Sequence, residues 1–151
     1  MNNYTDVISL ETAKLYLKVD SGQTETDAEI TQMINSSLAI IEKRTNHIFK
    51  TKSKVYYKDC ALVEKTKVYD FPINEPPTNT EIRPLYSLVP TVNGFVTLNI
   101  GYTNVSDIPT ELIDCALSLI NFWFYNSETK GADNSIPKFV EMTIDQNRRF
   151  I

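Results

Sequence analysis

The amino-acid sequence predicts a mainly α fold of the α+β class: a small helical bundle with a short antiparallel β element inserted between the second and third helices. Two observations support this prediction. Apolar residues recur at helical spacing over about 10–18, 27–45 and 109–126. Between the last two stretches, β-branched and aromatic residues alternate with polar ones over about 54–100, as is typical of strands. We expect a single domain over 1–151, because this length can close a hydrophobic core without disulfides or metals.

The first two helices carry clear start signals. Ser9 is the expected N-cap of the first helix, because its hydroxyl can accept from a free backbone N–H of the first turn. The second helix opens with a capping box, in which Thr26 and Glu29 would each satisfy an unpaired backbone amide. Asn46 is the expected stop, since Asn tolerates the left-handed conformation that ends many helices.

The β element is divided by proline and by a turn signal. Residues 55–57 and 67–71 predict two strands, which could pair as a hairpin. A short strand within 80–88 would be interrupted by Pro84. Asn93-Gly94 predicts a turn, and the alternation over 95–100 predicts a strand after it.

The third helix follows Asp107-Ile108-Pro109. Asp107 is the expected cap, and Pro109 suits a first turn, where its missing amide is no loss. The stretch 112–124 is strongly apolar, and its polar neighbours form one narrow stripe at helical spacing: Glu111, Asp114, Ser118 and Asn121. A helix that is apolar on nearly every side must be covered on nearly every side. Two explanations stay open with equal weight: coverage by a neighbouring subunit, or a central core position in a monomer.

The C-terminal segment is ambiguous in sequence. Pro137 could open a short helix over about 137–148, with Phe139, Val140 and Ile144 on one face. The end of the chain mixes charged and apolar residues and could be a docking tail. The candidate residues for subunit or partner contacts are therefore four on the third helix and four at the C-terminus: Leu112, Ala116, Leu119, Trp123, Arg148, Arg149, Phe150 and Ile151.

Charge and composition disfavour tight nucleic-acid binding. The formal net charge is -4, with 15 Lys and Arg against 19 Asp and Glu, whereas phosphate-binding proteins normally carry a basic face. An acidic surface suits DNA that slides past without sticking. The lysines over 50–58 lie beside Tyr56 and Tyr57 and could contact a single strand. The more common explanation is a solvated strand edge that lysine protects from aggregation.

Few residues suggest chemistry. The single histidine, His47, excludes a histidine-based metal cluster within one chain, and we expect it to be structural or exposed. Cys115 lies in an apolar helix and is expected to be a buried free thiol, and Cys60 has no predicted role. Phosphate-binding glycine loops and nucleophile elbows are absent. We predict no catalytic residue, no metal and no cofactor.

Targeting signals are also absent. Residues 1–6 do not resemble a signal sequence, and no apolar run approaches the ~20 residues of a membrane span. We expect a protein of the cytoplasm or of an assembled particle, without membrane contact.

Three segments, in order, resemble the head–tail connector family of tailed phages, also called head-completion or adaptor proteins. The first is LETAKLYLKVD over 10–20, and the second is the helix from DAEI at 27–30 to IEKRTN at 41–46. The third runs from IGY at 100–102 through IPTEL at 108–112 to WFYN at 123–126. Ser127 stands where the family often has Arg, and the β region and the C-terminal segment match only loosely. These departures affect the expected contacts more than the expected fold.

The resemblance implies a structural virion protein of the phage neck. Family members form a homo-oligomeric ring, commonly a dodecamer, that binds the portal protein, extends the DNA channel and serves as the attachment platform for tail or other neck proteins. DNA passes through the lumen without sequence-specific binding. The implied location is the virion neck, and the host cytoplasm during assembly. Two alternatives remain: a small nucleic-acid-binding regulator supported by the lysines over 50–58, and a small enzyme whose carboxylates are brought together by folding.

Overall fold

The computed structural model describes residues 3–58, 62, 64–126 and 136–148. Helices and two small antiparallel sheets make up an α+β fold, which confirms the predicted class. The helices are α1 (Leu10–Leu17), α2 (Asp27–Thr45), α3 (Thr110–Tyr125) and α4 (Lys138–Asn147), with a 3-10 turn at Val105–Asp107. The strands are β1 (Lys52–Tyr57), β2 (Lys65–Val68), β3 (Ile73–Asn74), β4 (Glu81–Ile82), β5 (Ser87–Pro90) and β6 (Phe95–Ile100).

The helices enclose the larger hydrophobic core. α3 lies at its centre and contacts α1, α2 and α4 within the same chain. Its apolar side chains are buried against Ile30, Ile34, Leu38 and Ile41 of α2, and against Val140 and Ile144 of α4. The strongly apolar character of α3 therefore follows from its central position in the bundle, and the other helices of the same chain cover most of it.

The capping at the helix starts differs from the sequence prediction in two of three cases. Ser9 caps α1 as expected, and its hydroxyl accepts from the N–H of Thr12 at 3.1 Å. Thr26 occupies the N-cap position of α2 as predicted, but its side chain forms no capping hydrogen bond. Its torsions are right-handed helical, φ -96 and ψ -1, whereas a capping side chain usually goes with an extended backbone. The Asp107 cap of α3 is wrong, because Asp107 lies in the 3-10 turn and Pro109 occupies the N-cap position.

The strands form two sheets whose pairing is mostly non-local. The orders are β1-β6-β3 and β2-β5-β4, and every pair is antiparallel. The predicted hairpin between 55–57 and 67–71 is wrong, because β1 pairs with β6 and β2 pairs with β5. The strand expected within 80–88 is found as two short strands, β4 and β5, on either side of Pro84. The turn at Asn93-Gly94 and the strand after it are confirmed.

A second, smaller core lies beneath the sheets. It consists of Ile48, Val68, Val89, Leu98 and Ile100, with Tyr56, Ile73 and Val96 packed against it. The sheets therefore hold together through side chains of their own, beside the helical core.

The helix expected at the C-terminus is present as α4. Val140 and Ile144 are buried on one face, as predicted. Phe139 is wrong as a member of that face: it is 57% exposed, because neighbouring helical residues point about 100° apart. Among the described residues, no helix is both long enough and apolar enough to cross a membrane.

Candidate assembly surfaces

The residues predicted for subunit contacts on α3 have different environments. Leu112, Ala116 and Leu119 are completely buried in the chain's own helical core, so their side chains leave no surface for a neighbour. Trp123 is half-buried, packs on the edge of this core and keeps exposed surface. Trp123 is thus the one of the four that can contact another subunit without rearrangement of the bundle.

The predicted docking tail begins where α4 ends. Arg148 follows the last residue of α4 and is exposed, and Arg149, Phe150 and Ile151 lie outside the described residues. Arg148 borders an open cleft of about 590 Å³ between the β4–β5 turn and the end of α4. The cleft is lined by His47, Phe71, Ile82, Arg83, Pro84, Gln146, Asn147 and Arg148.

His47 joins the end of α2 to the sheet region. Its Nδ1 lies 2.7 Å from the Tyr102 hydroxyl, and its ring meets that of Phe71 edge-on at 5.4 Å between centroids. A parallel β-bridge also connects the backbones of His47 and Phe71. His47 is 8% exposed, so its observed contacts are those of a structural residue that fixes one element on another.

The lysines over 50–58 are mostly engaged by carboxylates of the same chain. The Nζ atoms of Lys50, Lys52 and Lys54 lie 2.7, 2.8 and 2.6 Å from carboxylate oxygens of Asp6, Glu42 and Asp70 respectively. β1 is an edge strand of its sheet, which supports the explanation of these lysines as edge protection. Since each engaged lysine has a carboxylate beside it, the run presents less net positive charge than its sequence suggests.

Asp70 also organises the inner side of β1. Its carboxylate accepts a hydrogen bond from the Tyr56 hydroxyl in addition to the one from Lys54. Burial, and next the hydrogen bond to the Asp70 carboxylate, raise the pKa of Tyr56 well above its usual range. Tyr56 therefore stays protonated and donates its proton to Asp70, which fixes the inner side of the strand.

The outer side of β1 and β6 is exposed and apolar. Val55 and Tyr57 are 45% and 75% exposed, and their cross-strand partners are Thr97 and Phe95. Cross-strand partners and alternate residues of a strand share one side of a sheet. We call this surface the sheet face: Val55, Tyr57, Phe95 and Thr97. The sequence predicted none of these residues as a subunit contact, because alternation shows that the two sides of a strand differ but does not show which side is covered.

A second exposed surface lies where α1 meets α3. Leu15 and Tyr16 are 80% and 45% exposed, although both belong to an amphipathic helix. The Tyr16 hydroxyl is 3.4 Å from the Ser118 hydroxyl, and Tyr125 donates to the backbone oxygen of Leu17 at 2.6 Å. The polar stripe of α3 therefore borders α1. We call the combined surface the helix face: Glu11, Leu15, Tyr16, Glu111, Asp114, Ser118 and Tyr125.

Cys115 is a buried free thiol, as predicted. Burial raises the pKa of the Cys115 thiol to about 11. Among the described residues, no group of three or more His, Cys, Asp or Glu side chains could hold a metal ion.

Comparison with solved structures gives full-length matches of low sequence identity. A chain from the neck of an empty gene transfer agent (GTA) particle, computed with C6 symmetry, has a TM-score of 0.74 and 12% identity, and covers 100% of this chain and 94% of its own. A chain from the virion of a native GTA particle has a TM-score of 0.73, 10% identity and the same coverage. The chain shares the fold of these GTA chains.

A third match supports the same fold. A chain from the neck of a native GTA particle, computed with C12 symmetry, has a TM-score of 0.63 and 12% identity over 99% of this chain and 95% of that one. The sequence itself matches no protein-family model and no curated protein. This chain and the GTA chains are therefore alike in fold rather than in sequence, and the similarity in fold extends over the whole chain.

Proposed function

We propose that this chain is a non-enzymatic structural subunit of a virion neck, which forms a homo-oligomeric ring between portal and tail. The observation that carries the proposal is the full-length match in fold to chains from GTA necks. Three segments that resemble phage head–tail connectors, in the expected order along the chain, point independently to the same location. On this proposal the ring extends the DNA channel, serves as a platform for tail or other neck proteins, and assembles from subunits made in the host cytoplasm.

The surface of the subunit supports an assembly role. Half of the large apolar side chains that are exposed among the described residues lie on the sheet face and the helix face, and such groups commonly mark protein contacts. The C-terminal residues 148–151, beginning beside the open cleft, are the proposed docking tail for the portal or another neck protein. DNA would pass the acidic chain without sequence recognition, since like charges repel.

The competing function is nucleic-acid regulation through the lysines over 50–58. The ion pairs of Lys50, Lys52 and Lys54 disfavour it, because phosphate binding would have to displace three carboxylates. A titration of DNA at increasing salt separates the two. We expect no binding at sub-micromolar concentration, whereas tight binding that weakens steeply with salt would favour the regulator.

Electron microscopy of the purified chain, alone and mixed with the portal ring of its own particle, tests the neck proposal. We expect a second ring stacked coaxially on the portal. A chain that stays monomeric and never joins the portal assembly would overturn the proposal.

A further inference from the structure

The open cleft between the β4–β5 turn and the end of α4 is cationic, although the chain as a whole has a net charge of -4. Arg83 belongs to one wall and Arg148 to the other, and the side-chain amides of Gln146 and Asn147 lie beside Arg148. None of the described residues that line the cleft is Asp or Glu. The cleft therefore favours negative charge more than the rest of the chain does.

The carboxylate that pairs with Arg83 is shared with a lysine. Glu81 lies 2.9 Å from a guanidinium nitrogen of Arg83 and also accepts a hydrogen bond from Lys65. Two cations share one carboxylate, so the three groups together keep a positive charge. Asp145 is exposed on α4 and is not among the lining residues. A guanidinium carries several N–H donors and can bind more than one carboxylate.

The cleft also has an apolar part. Phe71, Ile82 and Pro84 line it, and Ile82 is 72% exposed. His47 is the most buried lining residue, and its contact with the Tyr102 hydroxyl fixes it in place. A partner that fits this cleft therefore combines negative charge with an apolar side chain.

We propose that the cleft binds an extended, acidic segment of another protein. A carboxylate of the segment would lie between Arg83 and Arg148, and an apolar side chain would lie against Ile82. The Gln146 side chain would pair with the backbone of the segment, since a side-chain amide both donates and accepts. The volume of about 590 Å³ is of the size usual for ligand sites.

DNA is the less suitable occupant of the cleft. Phosphate binding normally uses many cations along the nucleic-acid backbone, and it gains nothing from the apolar lining. The binding of an acidic segment does not depend on the proposed function. The identification of the segment as part of the portal or of another neck protein rests on that function.

Fluorescence anisotropy with a labelled peptide tests the inference on the full chain. The probe is a fluorescein-labelled peptide of alternating aspartate and leucine residues with both ends blocked, and its counterpart carries asparagine in place of each aspartate. We expect saturable binding of the acidic probe, and binding at least about tenfold weaker for the counterpart, because charge-assisted hydrogen bonds are lost. The inference is overturned if the counterpart binds equally well or better, or if the acidic probe shows no saturable binding.

Arg83→Gln and Arg148→Gln test the two walls of the cleft. We expect each to weaken binding of the acidic probe at least about tenfold, because each removes a charge-assisted hydrogen bond. Arg44→Gln is the matched control: the Arg44 side chain is 46% exposed, against 50% for Arg83, and it pairs with Glu141 outside the cleft lining. Circular dichroism checks that all three variants fold. Normal binding by either cleft variant, or an equal loss in Arg44→Gln, contradicts the proposed site.

Ile82→Ser tests the apolar contact. We expect it to weaken binding of the acidic probe at least about threefold, because burial of an apolar side chain is lost. Val92→Ser is the control, since Val92 is exposed to the same extent and lies outside the cleft lining. Equal affinity of these two variants would show that the segment does not use an apolar side chain, against the proposal.

Two competing occupants give different results. We expect a chain that ends at Arg148 to bind the acidic probe as the full chain does. A tenfold or greater rise in affinity would make residues 149–151 the occupant and overturn the inference. So would displacement of the probe by a single-stranded oligonucleotide at a lower concentration than by the unlabelled acidic peptide. No titration contains the portal, so failure here leaves the neck proposal to the electron microscopy.

Discussion

Gly101 shows how one residue can control the path between the sheet and the helices. Its φ is +110, and a Cβ at this position would lie 2.5 Å from the backbone oxygen of Lys50. Its N–H also donates to the backbone oxygen of Pro72 at 2.9 Å. A side chain here would have to move the backbone of the neighbouring segment as well as adopt a strained torsion.

We expect Gly101→Ala to lower the free energy of unfolding by more than about 2 kcal/mol, since a torsion almost reserved for glycine costs about 1–3 kcal/mol before the clash is added. Urea denaturation followed by circular dichroism measures the change. Gly22→Ala is the control, because its Cβ would meet only the Asp20 side chain, at 3.4 Å. Equal stability of the two variants would contradict the argument.

The Cys115 thiol makes stability depend on pH in the alkaline range. Its pKa is about 11 in the folded chain, against about 8.5 for an unperturbed thiol. The neutral thiol therefore contributes its full stabilisation below about pH 8.5. As pH rises from there towards 11, the unfolded thiol ionises while the folded one does not, and the free energy of unfolding falls.

Urea denaturation at several pH values measures this effect in a Cys60→Ser chain. We expect its free energy of unfolding to fall more steeply between about pH 8.5 and 11 than that of a Cys60→Ser, Cys115→Ala chain. The comparison is between slopes, because the alanine variant also loses core packing at every pH. Tyr56, whose pKa is raised as well, is present in both chains and cancels. Identical slopes would show that the thiol is not shielded from water.

At the scale of elements, α3 supports the rest of the fold. Leu119 is fully buried at the centre of the helical core, so Leu119→Asp places an unpaired carboxylate among apolar side chains. We expect a loss of at least about 4 kcal/mol, which is comparable to the whole stability of a small domain, and therefore an unfolded subunit. Circular dichroism and solubility of the purified variant measure the outcome.

Asn121→Asp is the matched control for Leu119→Asp. Asn121 lies on the polar stripe of the same helix and is partly exposed, so the same carboxylate should leave the subunit folded. A soluble, folded Leu119→Asp variant that assembles normally would contradict the central position of α3.

The elements that the sequence predicts correctly are those set by local patterns. The bounds of α1 and α2 agree with the apolar spacing, and Asn46 ends α2 in the left-handed conformation, with φ 60. Strand pairing was not predictable in the same way. β1 pairs with β6 across about 40 residues of sequence, and the alternation in each strand says nothing about its partner.

The candidate surfaces were predicted less well than the helices, for a related reason. Leu112, Ala116 and Leu119 are apolar at helical spacing, which indicates burial without indicating whether the same chain or a neighbour covers them. Val55, Tyr57 and Phe95 are apolar and exposed, and only the position of the second core shows which side of the sheet is uncovered.

At the scale of the whole molecule, the residues that form the cores are different from the residues proposed to make contacts with other molecules. The helical core and the smaller sheet core both close within one subunit. The sheet face, the helix face and Arg148 lie outside these cores. A subunit of this kind can fold before it meets its partners, which suits an assembly whose steps occur in a fixed order.

This separation predicts the effect of removing residues 148–151. α4 is held by Val140 and Ile144, both before the deletion, so we expect the free energy of unfolding to change by less than about 1 kcal/mol. Binding to the portal ring should be lost, because the proposed docking tail is gone, and co-sedimentation with purified portal rings measures it. Met142→Ala, an exposed change on α4 itself, is the control and should bind normally. If the shortened chain binds the portal as well as the full chain does, the docking surface lies elsewhere, and the open cleft bordered by Arg83 becomes the next region to vary.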